Sequence, residues 1–191
     1  MSAFHARQIR SLNDDELTKQ LGQVWGELRD SPADKRELIL KLKAELTPQT
    51  LGSADVSRGR ALFVKTCSAC HTLYGEGGRR GPDLTGSQRR NIDYLLENIV
   101  DPSAVVTADF RVTILELTDG RVLTGVITAK NDKAVTLITP TDTLTIERAE
   151  IGVQKESKQS LMADGLLQPL LAEQVRDLFA YLMTRHQVPL K

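Results

Sequence analysis

Two cysteines and the histidine beside them constrain this chain more than any other feature of its sequence. Cys67 and Cys70 are the only cysteines among the 191 residues, and His71 directly follows the second of them. A framework of structural disulfides needs several cysteines spread along a chain, so this pair excludes one. The two thiols and the imidazole must therefore be interpreted together, as one local site.

Three kinds of site use a Cys-x-x-Cys pair. The cysteines of a thioredoxin-type redox pair follow a strand in a β-α-β pattern, whereas a helix is predicted to precede Cys67. A structural zinc site needs four ligands, and the sequence has no second Cys or His pair at finger spacing. Two thiols at this spacing can instead add across the two vinyl groups of haem, with the adjacent histidine as an axial ligand of the iron. The motif Cys67–His71 therefore predicts one covalently attached haem c.

The overall composition is that of an ordinary globular chain, with 40% hydrophobic and 26% charged residues. Its 25 basic residues balance 25 acidic ones. Because a nucleic-acid-binding domain usually carries an excess of basic residues, we do not expect nucleic acid as a partner. Aromatic residues make up only 4% of the chain, which leaves a place in the core for a large, flat, apolar cofactor.

The sequence also bears on location. It contains no run of about 18 apolar residues, which predicts that no segment spans a membrane. Residues 1–10 are polar and lack the apolar centre of a signal peptide. Since haem attachment of this kind belongs to the periplasm or another extracytoplasmic space, the missing signal predicts either a mature product or a domain of a longer chain.

Apolar residues at helical spacing predict helices on both sides of the motif. Two amphipathic helices are predicted within residues 12–47. Three more are predicted from about Asp55 to Thr66, over Asn91–Val100 and over Glu173–Arg185. Ser31–Asp34 is a start signal for the second helix, with Ser31 as its cap, and Thr47-Pro48 is its end signal. Gly52-Ser53 is a predicted linker. Ser53 is the predicted cap of the helix that precedes the cysteines.

The pattern changes from helical spacing to alternation at Phe110. A first strand ends at Asp119-Gly120, which is a strong hairpin signal. The further strand candidates are Val122–Thr128, Val135–Thr139, Leu144–Glu147 and Ile151–Gln154. Residues 110–155 therefore predict a small antiparallel sheet or barrel, which resembles Sm-like and SH3-like barrels. Because basic and aromatic residues are few in it, we expect a scaffold, an interface or a shield for haem rather than RNA binding.

Three segments together resemble the first half of a class I cytochrome c: Gly59–Phe63, Cys67–His71 and Gly81–Leu84. The resemblance implies that Gly59 and Phe63 let the first helix cross the last helix closely, at Tyr181. It also implies that the carbonyl of Pro82 accepts a hydrogen bond from the second ring nitrogen of His71, which fixes the orientation of the ring.

A second iron ligand is expected on the other face of the haem. The candidates are Met162, Met183, His5, His186 and Met1. Met183 falls inside the last predicted helix, His186 stands at its end, where the helix dipole favours a cation, and His5 lies in a polar leader. Met162 lies in a loop just before that helix, where class I cytochromes place their methionine. The resemblance therefore implies His71 and Met162 as the two iron ligands.

The order of the motifs resembles one group more closely. These are the haem-binding domains at the C-terminus of large bacterial periplasmic proteins of the membrane-bound dehydrogenase type. The resemblance covers roughly Ser53 to Met183, with residues 110–155 as an insertion between the two ligands. In that group a proline usually follows the methionine, whereas this chain has Ala163, which loosens the ligand loop.

Four arginines cluster around the Gly-rich loop that follows the motif: Arg79, Arg80, Arg89 and Arg90. Most such runs are solvated surface. Two functional interpretations stay open, which are pairing with the haem propionates and steering of an acidic redox partner.

The expected fold is mainly α. It has a helical extension over 1–52, a cytochrome c domain over 53–109 and 156–191, and an inserted β module over 110–155. The expected function is one-electron transfer and not enzymatic catalysis. The expected partner is a redox protein, for which a fused or associated dehydrogenase is one candidate, and a homodimer is a further option. Two alternatives stay open: a haem-based sensor or peroxidase-like enzyme with a labile sixth ligand, and an interaction module built on the β insertion.

Overall fold

The computed structural model describes residues 3–24, 29–104, 106 and 110–190. The chain divides into two compact units, each made of two segments. We call Ser31–Asp101 with Asp164–Lys191 the helical unit, and Met1–Asp30 with Pro102–Ala163 the sheet unit. None of the described helices has the length and apolar character that crossing a bilayer requires.

Seven α-helices and seven strands lie in the described residues. The helices are α1 (Ala3–Arg10), α2 (Asp15–Val24), α3 (Ala33–Glu45), α4 (Pro48–Gly52), α5 (Val56–Thr66), α6 (Ile92–Val100) and α7 (Ala172–Leu182). The strands are β1 (Thr72–Leu73), β2 (Glu76–Gly77), β3 (Arg111–Leu117), β4 (Val122–Lys130), β5 (Ala134–Ile138), β6 (Thr143–Glu147) and β7 (Ile151–Ser160). The prediction of a mainly-α fold is not confirmed, because the strands form a five-stranded sheet as well as a two-stranded hairpin.

The helical unit holds α3 to α7 and the β1–β2 hairpin. Asp55 precedes α5, and its carboxylate accepts hydrogen bonds from the backbone amides of Ser57 and Arg58 at 3.0 and 3.1 Å. The cap of α5 is therefore Asp55 rather than the predicted Ser53, since its carboxylate reaches the first turn and complements the positive end of the helix. Asn91 caps α6 in the same way.

Two other local features of this unit differ from the predictions. The helix α3 does end before Thr47-Pro48, but a short helix, α4, follows and includes Gly52 of the predicted linker. The Thr47 hydroxyl caps α4 by accepting a hydrogen bond from the amide of Thr50 at 3.2 Å. Proline suits the first turn of a helix, where its missing N–H would have no helical partner. At the start of α3 the cap position belongs to Pro32 instead of Ser31, and proline offers no side-chain acceptor.

The core of the helical unit forms where α5 crosses α7. The side chains of Phe63, Phe179 and Tyr181 are almost completely buried, and the Phe63 and Tyr181 ring centroids lie 5.6 Å apart. A Cβ atom added to Gly59 would stand only 2.0 Å from the backbone oxygen of Asp177 and 2.8 Å from the Cβ of Tyr181. The two helices therefore pack backbone against backbone, in the manner that the family resemblance implies for these positions.

The sheet unit holds α1, α2 and an antiparallel sheet with the strand order β6-β5-β4-β3-β7. Strands β3 to β6 form a meander. Its first turn is Asp119-Gly120, where Gly120 adopts a φ of 89°. A short 3-10 helix, Arg148–Glu150, leads into β7, which returns to pair with β3. The core of this sheet consists of the buried residues Leu115, Leu117, Leu137 and Ile146.

All five predicted strands are present in this sheet. The last one is longer than predicted, because β7 continues its pairing with β3 up to the partners Arg111 and Ser160. The first and last residues of the sheet are therefore neighbours. Its assignment to an Sm-like or SH3-like barrel, and the domain boundaries drawn from the sequence, stay predictions.

Replacing Gly59 with alanine tests the crossing of α5 and α7. The new Cβ atom would overlap the Asp177 carbonyl, so the helices must separate, and we expect the free energy of unfolding to fall by about 2 kcal/mol. Urea unfolding followed by circular dichroism measures this change. Gly52→Ala is the control, because a Cβ atom at Gly52 would meet nothing within 4 Å. If Gly59→Ala unfolds at the same urea concentration as the control, the backbone contact is not what holds these helices.

Candidate haem-attachment site

The Cys67–His71 motif forms a tight turn that leaves the end of α5. The amide of Cys67 donates to the carbonyl of Phe63 at 2.8 Å, which completes the last turn of the helix. The amides of Cys70 and His71 both donate to the carbonyl of Cys67, at 3.1 and 3.0 Å. Because one carbonyl holds both amides, the spacing between the two cysteines and the histidine is fixed by the backbone itself.

The Gly-rich segment packs directly onto this turn. A Cβ atom on Gly77 would lie 2.2 Å from the carbonyl oxygen of His71, and one on Gly78 would lie 2.2 Å from that of Ala69. Gly77 also has a φ of 113°, which residues with side chains rarely adopt. The amide of Gly78 donates to the carbonyl of Ser68 at 2.7 Å. These glycines are needed because the segment approaches the motif too closely for any side chain.

The imidazole of His71 is held by the residues that follow. Its Nδ1 donates to the backbone carbonyl of Pro82 at 2.9 Å. A Cβ atom on Gly81 would stand 2.7 Å from the Cε1 of the ring, so Gly81 lies flat against it. The Gly81 amide in turn donates to the carbonyl of Cys70 at 2.8 Å. With Nδ1 protonated and engaged, Nε2 carries the lone pair of the ring, which is the form of histidine that binds a metal.

The two cysteines are both free thiols. Cys67 packs against the core of the helical unit, and this burial, with a smaller contribution from Cys70, raises the pKa of its thiol to about 12. Two neighbouring free thiols and one imidazole with an available Nε2 are the set of groups that covalent haem attachment uses. The residues present therefore fit a haem, with Cys67 and Cys70 as its anchors and His71 as an iron ligand.

The arginines of the cluster differ in burial. Arg89 is buried, with 5% of its surface exposed, and it donates to the carbonyls of Leu182 and Thr184 at the end of α7. Its guanidinium also lies 4.8 Å from the ring centroid of Tyr74, whose hydroxyl donates to the Thr184 carbonyl. Arg89 therefore stabilises the negative end of α7. Arg79 and Arg90 are exposed.

Tyr74 and Thr184 were not among the residues singled out in the sequence. Tyr74 has a φ of 55°, in the left-handed region, and forms the turn of the β1–β2 hairpin with Gly75. An aromatic residue within a Gly-rich segment is a signal that could have drawn attention to it, because such segments rarely need a large side chain. For Thr184 the sequence offers no comparable signal.

The candidates for the second iron ligand fall in different places. Met162 lies two residues beyond β7, in the sheet unit, where it is half-buried and its amide donates to the Ser160 hydroxyl at 3.1 Å. Met183 follows α7 directly and packs against the core of the helical unit, and His186 is exposed. Met1 and the side chain of His5 lie outside the described residues.

Two comparisons with known proteins bear on this site. Residues 56–108 match the family described as Cytochrome c. Over 66 residues the chain is 33% identical to a protein named "Cytochrome c-553-like" from Synechocystis sp. (strain ATCC 27184 / PCC 6803 / Kazusa). That match covers 34% of this chain and 62% of the relative, so the chain spans less than two thirds of the relative's length.

The family match includes the attachment motif, and both matches support a c-type cytochrome. The cofactor is covalently bound haem c with its iron. The family is one of electron carriers that are generally not enzymes, so the matches also support an electron carrier. The sensor, peroxidase and interaction-module alternatives gain no support from them.

Gly81→Ala tests whether close packing around the His71 ring is needed for haem binding. The added methyl group must displace the ring or the loop, and we expect the haem-loaded protein to lose about 1–3 kcal/mol of unfolding free energy and to form in lower yield. The measurements are the haem-to-protein ratio and urea unfolding followed by the haem absorbance. The control is Gly86→Ala in the same loop, where a Cβ atom would meet nothing within 4 Å. Equal haem content and stability in the two variants would contradict the prediction.

Proposed function

We propose that this chain carries single electrons through one haem, which Cys67 and Cys70 hold by thioether bonds and whose iron His71 and Met162 bind. The observation that carries the proposal is the hydrogen bond from His71 Nδ1 to the Pro82 carbonyl, at 2.9 Å. It leaves Nε2 as the metal-binding nitrogen and fixes the plane of the ring. When bound, the haem supplies an iron that alternates between the ferrous and ferric states.

The residues of the chain keep the iron ligands in place and set the reduction potential. The Pro82 carbonyl accepts a hydrogen bond from the Nδ1–H of His71, which would make Nε2 a stronger donor to the iron. A thioether ligand from Met162 favours the ferrous state and raises the potential relative to a second imidazole. Thioether bonds to Cys67 and Cys70 would keep the haem attached to the chain in both oxidation states.

The same proposal includes the architecture drawn from the sequence, in which a β module interrupts a cytochrome c domain. Two observations support it. The Cytochrome c match begins at the start of α5, within the helical unit. The pairing of Arg111 with Ser160 places the two ends of the sheet side by side, as an insertion into a loop requires. The module adds surface, and its expected role is as a scaffold or an interface.

We further propose that the chain works outside the cytoplasm, with a redox protein as its partner. The order of the motifs supports a resemblance to the haem-binding domains of large periplasmic proteins. That order is a helix, Cys67–His71, Gly81–Leu84, the β module, Met162 and a final helix. In this setting a dehydrogenase, fused or associated, would supply the electrons that the haem passes on.

Covalent attachment through both cysteines is tested by mass spectrometry. When the chain is made in a host with periplasmic haem-attachment machinery, its acid-denatured mass should include one haem. Cys67→Ala and Cys70→Ala, made singly, should keep one thioether each, and the reduced spectrum of the alkaline pyridine complex should shift to longer wavelength because one vinyl group is left unreacted. The double variant should release its haem on denaturation. A bare polypeptide mass for the wild type would refute the proposal.

Methionine ligation is tested with two matched substitutions. Met162→Leu removes the thioether at nearly constant volume, so the far-red charge-transfer band of Met-ligated ferric haem should disappear and the reduction potential should fall. Met183→Leu is the control, because Met183 packs against the helical core and should leave both quantities unchanged. If the wild type lacks the band, or if Met183→Leu abolishes it, then Met162 is not the ligand.

A further inference from the structure

One lysine joins the two points at which the chain leaves and re-enters the helical unit. The first segment of that unit ends at Asp101, and the second begins at Asp164. The Nζ of Lys35, in the first turn of α3, lies 2.9 Å from a carboxylate oxygen of Asp101 and 2.9 Å from one of Asp164. These residues are far apart in sequence, and a single ammonium group holds them together.

The three side chains differ in burial, which decides how the group works. The Asp101 side chain is fully buried, that of Lys35 is 18% exposed and that of Asp164 is 58% exposed. A buried carboxylate is costly without a partner, so the contact with Asp101 fixes where the ammonium group lies. The same ammonium group then has an N–H left to donate to Asp164 at a fixed position. The buried Lys35–Asp101 ion pair therefore determines where Asp164 is held.

The residues just before Asp164 are held in the sheet unit by a second set of contacts. The amide of Ser160 donates to the hydroxyl of Ser103 at 3.1 Å, and the amide of Met162 donates to the hydroxyl of Ser160 at 3.1 Å. Ser103 lies two residues after Asp101 in the sequence. The loop that carries Met162 is thus held at its beginning by Ser103 and at its end by Lys35.

We propose that Lys35 is a positioning residue for Met162, acting through Asp164, which lies two residues beyond the methionine. This inference rests on the proposed function, in which Met162 binds the iron. The family that the sequence resembles stiffens this loop with a proline after the methionine, whereas this chain has Ala163. A loop with fewer restraints loses more conformational entropy when its methionine binds. The ion pair with Lys35 restrains the loop in place of the proline.

Imidazole binding to the ferric haem protein measures how readily the methionine leaves the iron. Asp164→Asn removes the exposed half of the contact and keeps the buried pair of Lys35 with Asp101. Since exposed ion pairs contribute up to about 1 kcal/mol, imidazole should bind about two- to five-fold more tightly to this variant. Lys35→Met should show at least the same change, and Lys35→Arg should restore affinity close to that of the wild type, because arginine keeps the charge.

The matched control is Lys43→Met. Lys43 lies near the other end of the same helix and makes a surface ion pair of 2.7 Å with Asp93. This variant should bind imidazole like the wild type. Thermal unfolding of every variant, followed away from the haem absorbance, shows whether a change in affinity comes from a general loss of stability.

Three results would overturn the inference, and they separate it from the proposed function. If Met162→Leu tightens imidazole binding but Asp164→Asn does not, Met162 is the ligand and Lys35 does not position it. If Lys43→Met has the same effect as Lys35→Met, the change reports only the stability of α3. If Met162→Leu leaves imidazole binding unchanged, the proposed ligand itself is wrong, and the inference fails with it.

Discussion

The packing of α5 against α7 determines where the attachment motif lies. At Gly59 the two backbones meet without an intervening side chain, and the start of α5 is tied to α7 as well. The buried carboxylate of Asp177 accepts hydrogen bonds from the amide of Asp55, at 3.1 Å, and from the side chain of Arg58. A helix held at its start and along its length has a fixed direction. The turn that follows its last residue, Thr66, therefore starts from a defined point, and the cysteines are placed by the crossing.

Short-range contacts beyond the end of α5 position the histidine side of the candidate haem site. The Cys67 carbonyl holds the turn, glycines 77 and 78 lie against its backbone, and Pro82 holds the imidazole of His71. Every one of these contacts joins residues close together in the sequence. A site built in this way is largely complete once α5 and the Gly-rich loop have formed, which agrees with a family match confined to residues 56–108.

This locality explains which features the sequence could predict. Helix caps and periodic apolar residues act over a few positions, so α5, α6 and α7 and the first four strands of the large sheet agree with the prediction to within a few residues. The last strand continues beyond the predicted Gln154 to Ser160. The contact of His71 with Pro82 came from the family resemblance. The short helix α4 was missed because Thr47-Pro48 is compatible with both an end and a start of a helix. The label mainly α was not confirmed, since it gave the sheet too little weight.

Among the contacts that could not be predicted are those of three charged residues. Arg58 with Asp177, Arg89 with the end of α7, and Lys35 with its two aspartates each join distant positions. A charged residue carries no periodic signal, and its partner is decided only when the helices have packed. In the sequence, Arg89 was grouped with its neighbours as surface or as a partner of the haem, whereas burial against α7 gives it a structural role.

The same distinction separates the two proposed iron ligands. His71 is adjacent in sequence to the cysteines and needs no distant residue to stay near them. Met162 is separated from them by the whole sheet, and closing a long connection costs conformational entropy that grows with its length. The cost is reduced where the ends of the inserted segment are held together by contacts of their own. The β3–β7 pairing at Arg111 and Ser160 does this within the sheet unit. Lys35 does it within the helical unit, where it holds both chain ends in the way that a short loop would.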